Sequence, residues 1–175
     1  MNTITPCLWF DGNAEEAVAF YLSVFRDSLI LETTYYPDDP QHPAHEHLGG
    51  KVLTILFQIK GCQFTALNAG PDFHFNEAVS FQIPCTNQKE IDYYWEKLSE
   101  GGDVHAQQCG WLKDKFGLSW QIVPNCLIKM FAKGDNATTA RVMKALLTMK
   151  KLDIETLEAV AKPPHQPKKQ TTTTQ

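Results

Sequence analysis

Apolar and polar residues alternate without a break in Ala78-Val-Ser-Phe-Gln-Ile83, so in an extended chain Val79, Phe81 and Ile83 fall on one side and Ser80 and Gln82 on the other. Ser119-Trp-Gln-Ile122 has the same pattern, with Ser119 and Gln121 on its polar side and Trp120 and Ile122 on its apolar side. Both predict half-buried strands, over residues 78–84 and 118–124. Residues 4–10 and the β-branched and aromatic run 29–36, stopped by Pro37, read as further strands. Residues 51–59 and 62–67 flank Lys60-Gly61 and read as a hairpin. The period lengthens to that of a helix over residues 14–25 and 88–100, the second ending at Gly101-Gly102. Residues 103–112 are read as one more strand. Val142, Ala145, Leu146 and Met149 then share one helical face, and Asp153 starts a last short helix through Val160. From Lys162 onward no apolar period remains, so residues 162–175 are expected to be disordered.

This order of elements occurs twice. Asn13, Glu16 and Tyr21 are matched at a spacing of 74 residues by Asn87, Glu90 and Trp95, and a predicted strand precedes each helix. Asn three residues before Glu is a helix start signal, in which Asn accepts an orphan backbone N–H and Glu reaches back to the cap. The chain is therefore expected to be α+β, with two tandem βαβββ modules and added C-terminal helices. Duplicated half-domains place a ligand site at their seam.

Composition narrows the partners. The 175 residues carry a net charge of -4 with no Lys/Arg block in the folded part, which is unsuited to a phosphate backbone, so no nucleic-acid partner is expected. No stretch approaches the roughly 20 apolar residues of a membrane span, and the start of the chain has no basic-then-apolar leader. Five cysteines, Cys7, Cys62, Cys85, Cys109 and Cys126, include no Cys-x-x-Cys pair, which fits reduced thiols in a cytoplasm. The expected partner is a small molecule.

Five segments carry a family resemblance: Pro6-Cys-Leu-Trp-Phe-Asp-Gly-Asn-Ala-Glu-Glu-Ala17, Ala66-Leu-Asn-Ala-Gly-Pro-Asp-Phe-His-Phe-Asn-Glu-Ala-Val-Ser-Phe81, Cys109-Gly-Trp111, Asp114-Lys-Phe-Gly-Leu-Ser-Trp-Gln-Ile-Val-Pro124 and Met149-Lys-Lys-Leu-Asp153. In them the sequence resembles the PhnB-like branch, labelled 3-demethylubiquinone-9 3-methyltransferase, of the vicinal oxygen chelate superfamily. That superfamily includes glyoxalase I, extradiol dioxygenases and bleomycin-resistance proteins. The resemblance implies a U-shaped sheet in each module, helices outside, a cavity inside and commonly a homodimer. The expected organisation is one glyoxalase-like domain over residues 1–133, with modules 1–74 and 75–133, followed by a helical extension over residues 134–161.

In metal-dependent members of that superfamily, His and Glu project into the cavity from the first and last strands of each module. The corresponding positions here are Pro6 and Thr65 in one module, and Ala78 (Ser80 if the repeat sets the register) with Gln121 in the other. None is a carboxylate or imidazole, so no cofactor is expected, and a divalent metal is the alternative. His42, His45 and His47 in a proline-rich loop are a minor metal option. The face carrying Ser80, Gln82, Ser119 and Gln121 is either solvated or lines a cavity, and the resemblance favours the cavity. Thr65, Asn68 and Trp111 are added as lining residues. Cys109 has no identifiable His partner and is read as an unreactive thiol. The functional expectation is a metal-free small-molecule binding protein, with a glyoxalase-type metal-dependent lyase, isomerase or dioxygenase as the alternative. Methyl transfer is disfavoured, because no glycine-rich turn follows the first strand to hold an adenosyl cofactor.

Overall fold

Apolar residues at helical spacing decide how the first helix packs. In α1 (Ala14–Val24), Ala14, Ala17, Val18, Tyr21 and Val24 are all buried, while Glu15 and Glu16 face out. The computed structural model describes residues 4–38 and 47–163. His42, His45 and the tail from residue 164 lie outside the described residues. Within them the chain is a mixed α+β fold with two small sheets and five α-helices.

The first sheet consists of β1 (Cys7–Phe10), β2 (Ser28–Tyr35), β3 (Val52–Ile59) and β4 (Cys62–Asn68), in the order β1-β4-β3-β2. β1 pairs parallel to β4, and the other neighbours are antiparallel. The second consists of β5 (Phe81–Cys85), β6 (Trp111–Lys113) and β7 (Ser119–Pro124), in the order β5-β7-β6, with β5 parallel to β7. α2 (Gln88–Ser99) covers it. A single core spans both sheets, from Leu8, Phe10 and Tyr21 to Ile83, Trp120 and Ile122. Tyr21 stacks on Phe57 of the first sheet and meets Trp120 of the second edge-on. Burial of each such side chain contributes about 1.5–3 kcal/mol.

Four sequence expectations are corrected. Residues 103–112 do not form one strand: Val104–Ala106 is a turn of 3₁₀ helix started by Asp103, and Gln108 and Trp111 then bond to each other's backbone across Cys109-Gly110. Both turn residues have positive φ, 55° and 85°, the signature of a type I′ hairpin turn. The second module is thus β5-α2-β6-β7, one strand shorter than the first.

The cap is also unequal between the copies. Asn87 accepts from the Glu90 N–H at 3.1 Å, and Glu90 reaches back to the Thr86 N–H and hydroxyl. Asn13 makes no side-chain cap bond; the Ala14 N–H goes instead to Asn68 Oδ1 on β4, at 2.9 Å.

The repeat spacing itself shifts by one. Ala17 and Val24 match Ile91 and Leu98 at 74 residues, but the inward strand residues Leu8 and Phe10 match Ile83 and Cys85 at 75.

Finally, one helix falls in a stretch with no helical expectation. α3 (Asn125–Lys133), not anticipated from the sequence, packs with α4 (Asn136–Leu146) and α5 (Ile154–Ala161) around Leu127, Val142, Leu152 and Leu157.

Candidate functional site

The alternation in β5 and β7 fixes the chemistry of the face opposite α2. Phe81 lies against Trp120 and Gln82 against Gln121, so apolar residues meet apolar ones toward the core and amides meet amides on the other side. Gln121 Nε2 donates to Ser80 Oγ at 2.8 Å, and Gln121 Oε1 accepts from Gln82 Nε2 at 3.0 Å. Trp111 is the cross-strand partner of Gln121, and Lys113 that of Ser119. Ser80, Gln82, Trp111, Ser119 and Gln121 therefore share one face. That face is neutral except for Lys113, whose ammonium pairs with Glu77 at 2.5 Å, and this bond holds the Glu77 carboxyl below its usual range.

A cavity of about 440 Å³ opens on this face. Ser119, Trp111, Leu112 and Lys113 come from the sheet, Ala106, Gln108 and Cys109 from the corrected segment, and Leu147 from just beyond α4. The backbone explains how distant pieces meet: the Cys109 and Gly110 N–H groups donate to the carbonyls of Met149 and Lys150, each at 2.8 Å. At Gly110 a Cβ would lie 2.9 Å from the Ile122 carbonyl oxygen and 3.0 Å from Leu152, so this close approach requires glycine. Ser119 Oγ is buried and has no hydrogen-bond partner among the described residues.

Of the seven predicted lining residues, Trp111 and Ser119 line this cavity; Ser80, Gln82 and Gln121 share the sheet face beside it, and Thr65 and Asn68 lie elsewhere. Thr65 belongs to the first sheet, opposite Cys7. Asn68 is buried, and its side chain is fully engaged: Oδ1 accepts from Ala14 N, and Nδ2 donates to Glu15 Oε2 at 2.7 Å and to the Val52 carbonyl at 3.1 Å. It is a tie between β4, β3 and α1. The larger concavity it borders, about 1000 Å³ with Trp9, Asp11, Tyr36 and His47, has Trp9 Nε1 already bonded to the Gly70 carbonyl and Tyr36 hydroxyl to that of Asn68.

Strand register also sharpens the metal question. Pro6 precedes β1 and Ala78 precedes β5; the side chains that share a face with Thr65 and Gln121 at the paired positions are Cys7 and Gln82. A thiol, a hydroxyl and two amides are a poor donor set for a hard divalent metal. No group of three or more His, Cys, Asp or Glu among the described residues has a metal-holding arrangement.

The residues that sequence reading passed over, Glu77, Ala106, Gln108, Lys113 and Leu147, differ in legibility. Lys113 stands two residues after Trp111 and so shares its face by period alone. Leu147 reaches the cavity only through the Met149–Cys109 contact, which no local pattern encodes.

The profile of the 3-demethylubiquinone-9 3-methyltransferase family matches residues 2–123. Among solved structures, the PhnB protein of Bacillus cereus, described as a 3-demethylubiquinone-9 3-methyltransferase, is 31% identical over 70% of this chain and 99% of its own, with a TM-score of 0.59. A Pseudomonas aeruginosa protein is 20% identical over 71% of this chain and 98% of its own, with a TM-score of 0.58. The fosfomycin resistance protein FosX of Mesorhizobium loti, 12% identical over 75% of this chain and 98% of its own at a TM-score of 0.50, shares the fold. No curated protein matches the chain. Together with the two sheets and their covering helices, these matches show that the chain belongs to the PhnB-like 3-demethylubiquinone-9 3-methyltransferase family, within the vicinal oxygen chelate superfamily.

Proposed function

We propose that this protein is a metal-free small-molecule binding protein, with its site on the open face of the second sheet. The observation that carries this reading is the Ser80–Gln121–Gln82 chain: at the position where a metal-dependent relative presents a carboxylate, Gln121 presents an amide already locked between two neutral partners. Neutral donors and acceptors beside Trp111 and an apolar-lined cavity orient a ligand by hydrogen bonds and shape rather than by charge. The methyltransferase of the family label would need a glycine-rich turn at the end of a parallel strand, and the turns that follow β1 and β5 are Asp11-Gly12-Asn13 and Thr86-Asn87.

The test is metal content and its effect on stability. Protein purified without chelator is expected to carry well under one metal per chain by inductively coupled plasma mass spectrometry, and EDTA is expected to leave its melting temperature within about 1 °C. One metal per chain together with a melting temperature that falls on chelation sinks the proposal.

A homodimer forms part of the same reading. β2 is the outer strand of the first sheet, and Leu29, Ile30, Leu31 and Tyr35 on it are 46%, 47%, 42% and 59% exposed, an apolar edge that a second copy would cover. Light scattering after size exclusion is expected to give twice the 19.8 kDa chain mass, and a monomer at micromolar concentration removes this part. No helix among the described residues is long and apolar enough to cross a membrane.

A further inference from the structure

We infer that the cavity beneath Leu147 is the ligand site, and that it takes a planar, uncharged aromatic ring system carrying one hydroxyl or carbonyl. This rests on the small-molecule reading above and narrows it to a place and a chemical class.

The place follows from Ser119. Ser119 lines the cavity, its hydroxyl is buried without a hydrogen-bond partner among the described residues, and an unmet buried polar group is costly unless something supplies its bond. It stands directly opposite Lys113, which lines the cavity together with its ion-pair partner Glu77. Leu147 lines it from the other side of the Cys109–Met149 contact. It is 58% exposed, and a ligand beneath it would remove that apolar surface from water. Its segment is pinned there by the Cys109–Met149 and Gly110–Lys150 backbone bonds. The family profile ends at residue 123, before the first residue of α3, so the wall that Leu147 supplies belongs to the extension and not to the matched region.

The ligand class follows from what lines the space. Trp111, Ala106 and Leu147 offer apolar surface and one indole ring for stacking. The single cation, Lys113, already has its carboxylate, so a charged ligand would be desolvated without a counter-ion. Ser119 and the Gln108 amide remain to orient one polar group. A volume of about 440 Å³ admits two fused rings.

The probe is 2-naphthol, titrated calorimetrically into the full-length protein and into three variants whose fold is verified by circular dichroism. One site per chain is expected. Leu147→Trp, which fills part of the cavity from an exposed position, is expected to weaken binding at least tenfold. Ser119→Ala is expected to weaken it about five- to tenfold, the loss of one hydrogen bond, and at the same time to raise the melting temperature of the ligand-free protein, because it deletes an unpaired buried hydroxyl. That opposition of signs marks a group kept for a ligand. If Ser119→Ala lowers the ligand-free melting temperature, or leaves the 2-naphthol affinity unchanged, the hydroxyl serves the fold or a water and the inference is overturned. No binding of 2-naphthol to the parent protein overturns the ligand class. If Gln121→Ala weakens binding while Leu147→Trp and Ser119→Ala do not, the cavity is wrong and the open-face reading survives; the metal measurement tests that reading independently.

Discussion

Replacing Asp114 with Ala is expected to destabilise the protein by about 4 kcal/mol, lowering the melting temperature by roughly 10 °C, the largest single-residue loss outside the apolar core. Asp114 is 2% exposed and accepts four hydrogen bonds. Oδ1 takes the Phe116 and Leu118 N–H groups at 2.9 and 3.0 Å, and Oδ2 takes the Tyr21 hydroxyl at 2.9 Å and Trp120 Nε1 at 2.8 Å. Burial pushes its pKa above the usual carboxylate range, and the four donors pull the other way. Burial and the adjoining carboxylate together hold the Tyr21 phenol well above its ordinary value. Alanine would strand all four donors in a dry interior, where each unmet group is penalised. The bond to Tyr21 matters beyond its own strength, because α1 belongs to the first module and Asp114 to the second; one carboxylate joins the halves.

Asp114→Asn separates charge from connectivity. Its amide oxygen can keep the two backbone N–H groups, and Tyr21 can turn its hydroxyl to accept from the new NH₂, but Trp120 Nε1–H can only donate and must face another donor. The expected cost is about 2 kcal/mol, half that of alanine. Urea unfolding of the three proteins checks the order. An Ala variant within about 1 kcal/mol of the parent would show that the network does not join the modules.

These contrasts explain what the sequence allowed to be read. The polar face of β5 and β7 was legible because a period of two is local: Ser80 and Gln82, like Ser119 and Gln121, are fixed to one side by two-residue steps, and pairing brings the two sets together. The order of strand, helix and further strands was legible in both halves from such local periods, although the second half has one strand fewer than the expected βαβββ. What failed depends on residues far apart in the chain. Asn13 carries the cap signature, but its backbone, at φ -117° and ψ 22°, leaves the extended region a cap residue adopts, and Asn68, brought from β4, takes the bond. The missing strand failed differently. Cys-Gly is an unusual pair for a type I′ turn, which favours Asn-Gly, so 108–111 carried no readable turn signal. Asp114 was visible in a family motif, and three of its donors lie within six residues of it, yet nothing local assigns it the fourth, the Tyr21 hydroxyl 93 residues away.

The two glycines that close α2 show the same division, and Gly102→Ala is the second large effect expected, at about 3 kcal/mol. The pair reads from sequence as a helix stop, and for Gly101 that is its role: its φ is 72°, and a Cβ there would meet only the Lys115 side chain, at 3.3 Å. Gly102 has no such backbone need. It is required because a Cβ would lie 2.0 Å from the Lys113 carbonyl oxygen, a backbone atom that cannot turn aside. Alanine at 102 must therefore push β6 away from the end of α2. β6 carries Trp111 and Lys113, so the displacement reaches the Lys113–Glu77 pair and the cavity wall beside Ser119. Gly101→Ala is expected to cost about 1 kcal/mol, from left-handed strain, with little effect on 2-naphthol affinity. Gly102→Ala is expected to lose stability and most of that affinity together. Equal losses at both positions would mean that the pair acts only as a helix stop, and that β6 is free to move without disturbing the site.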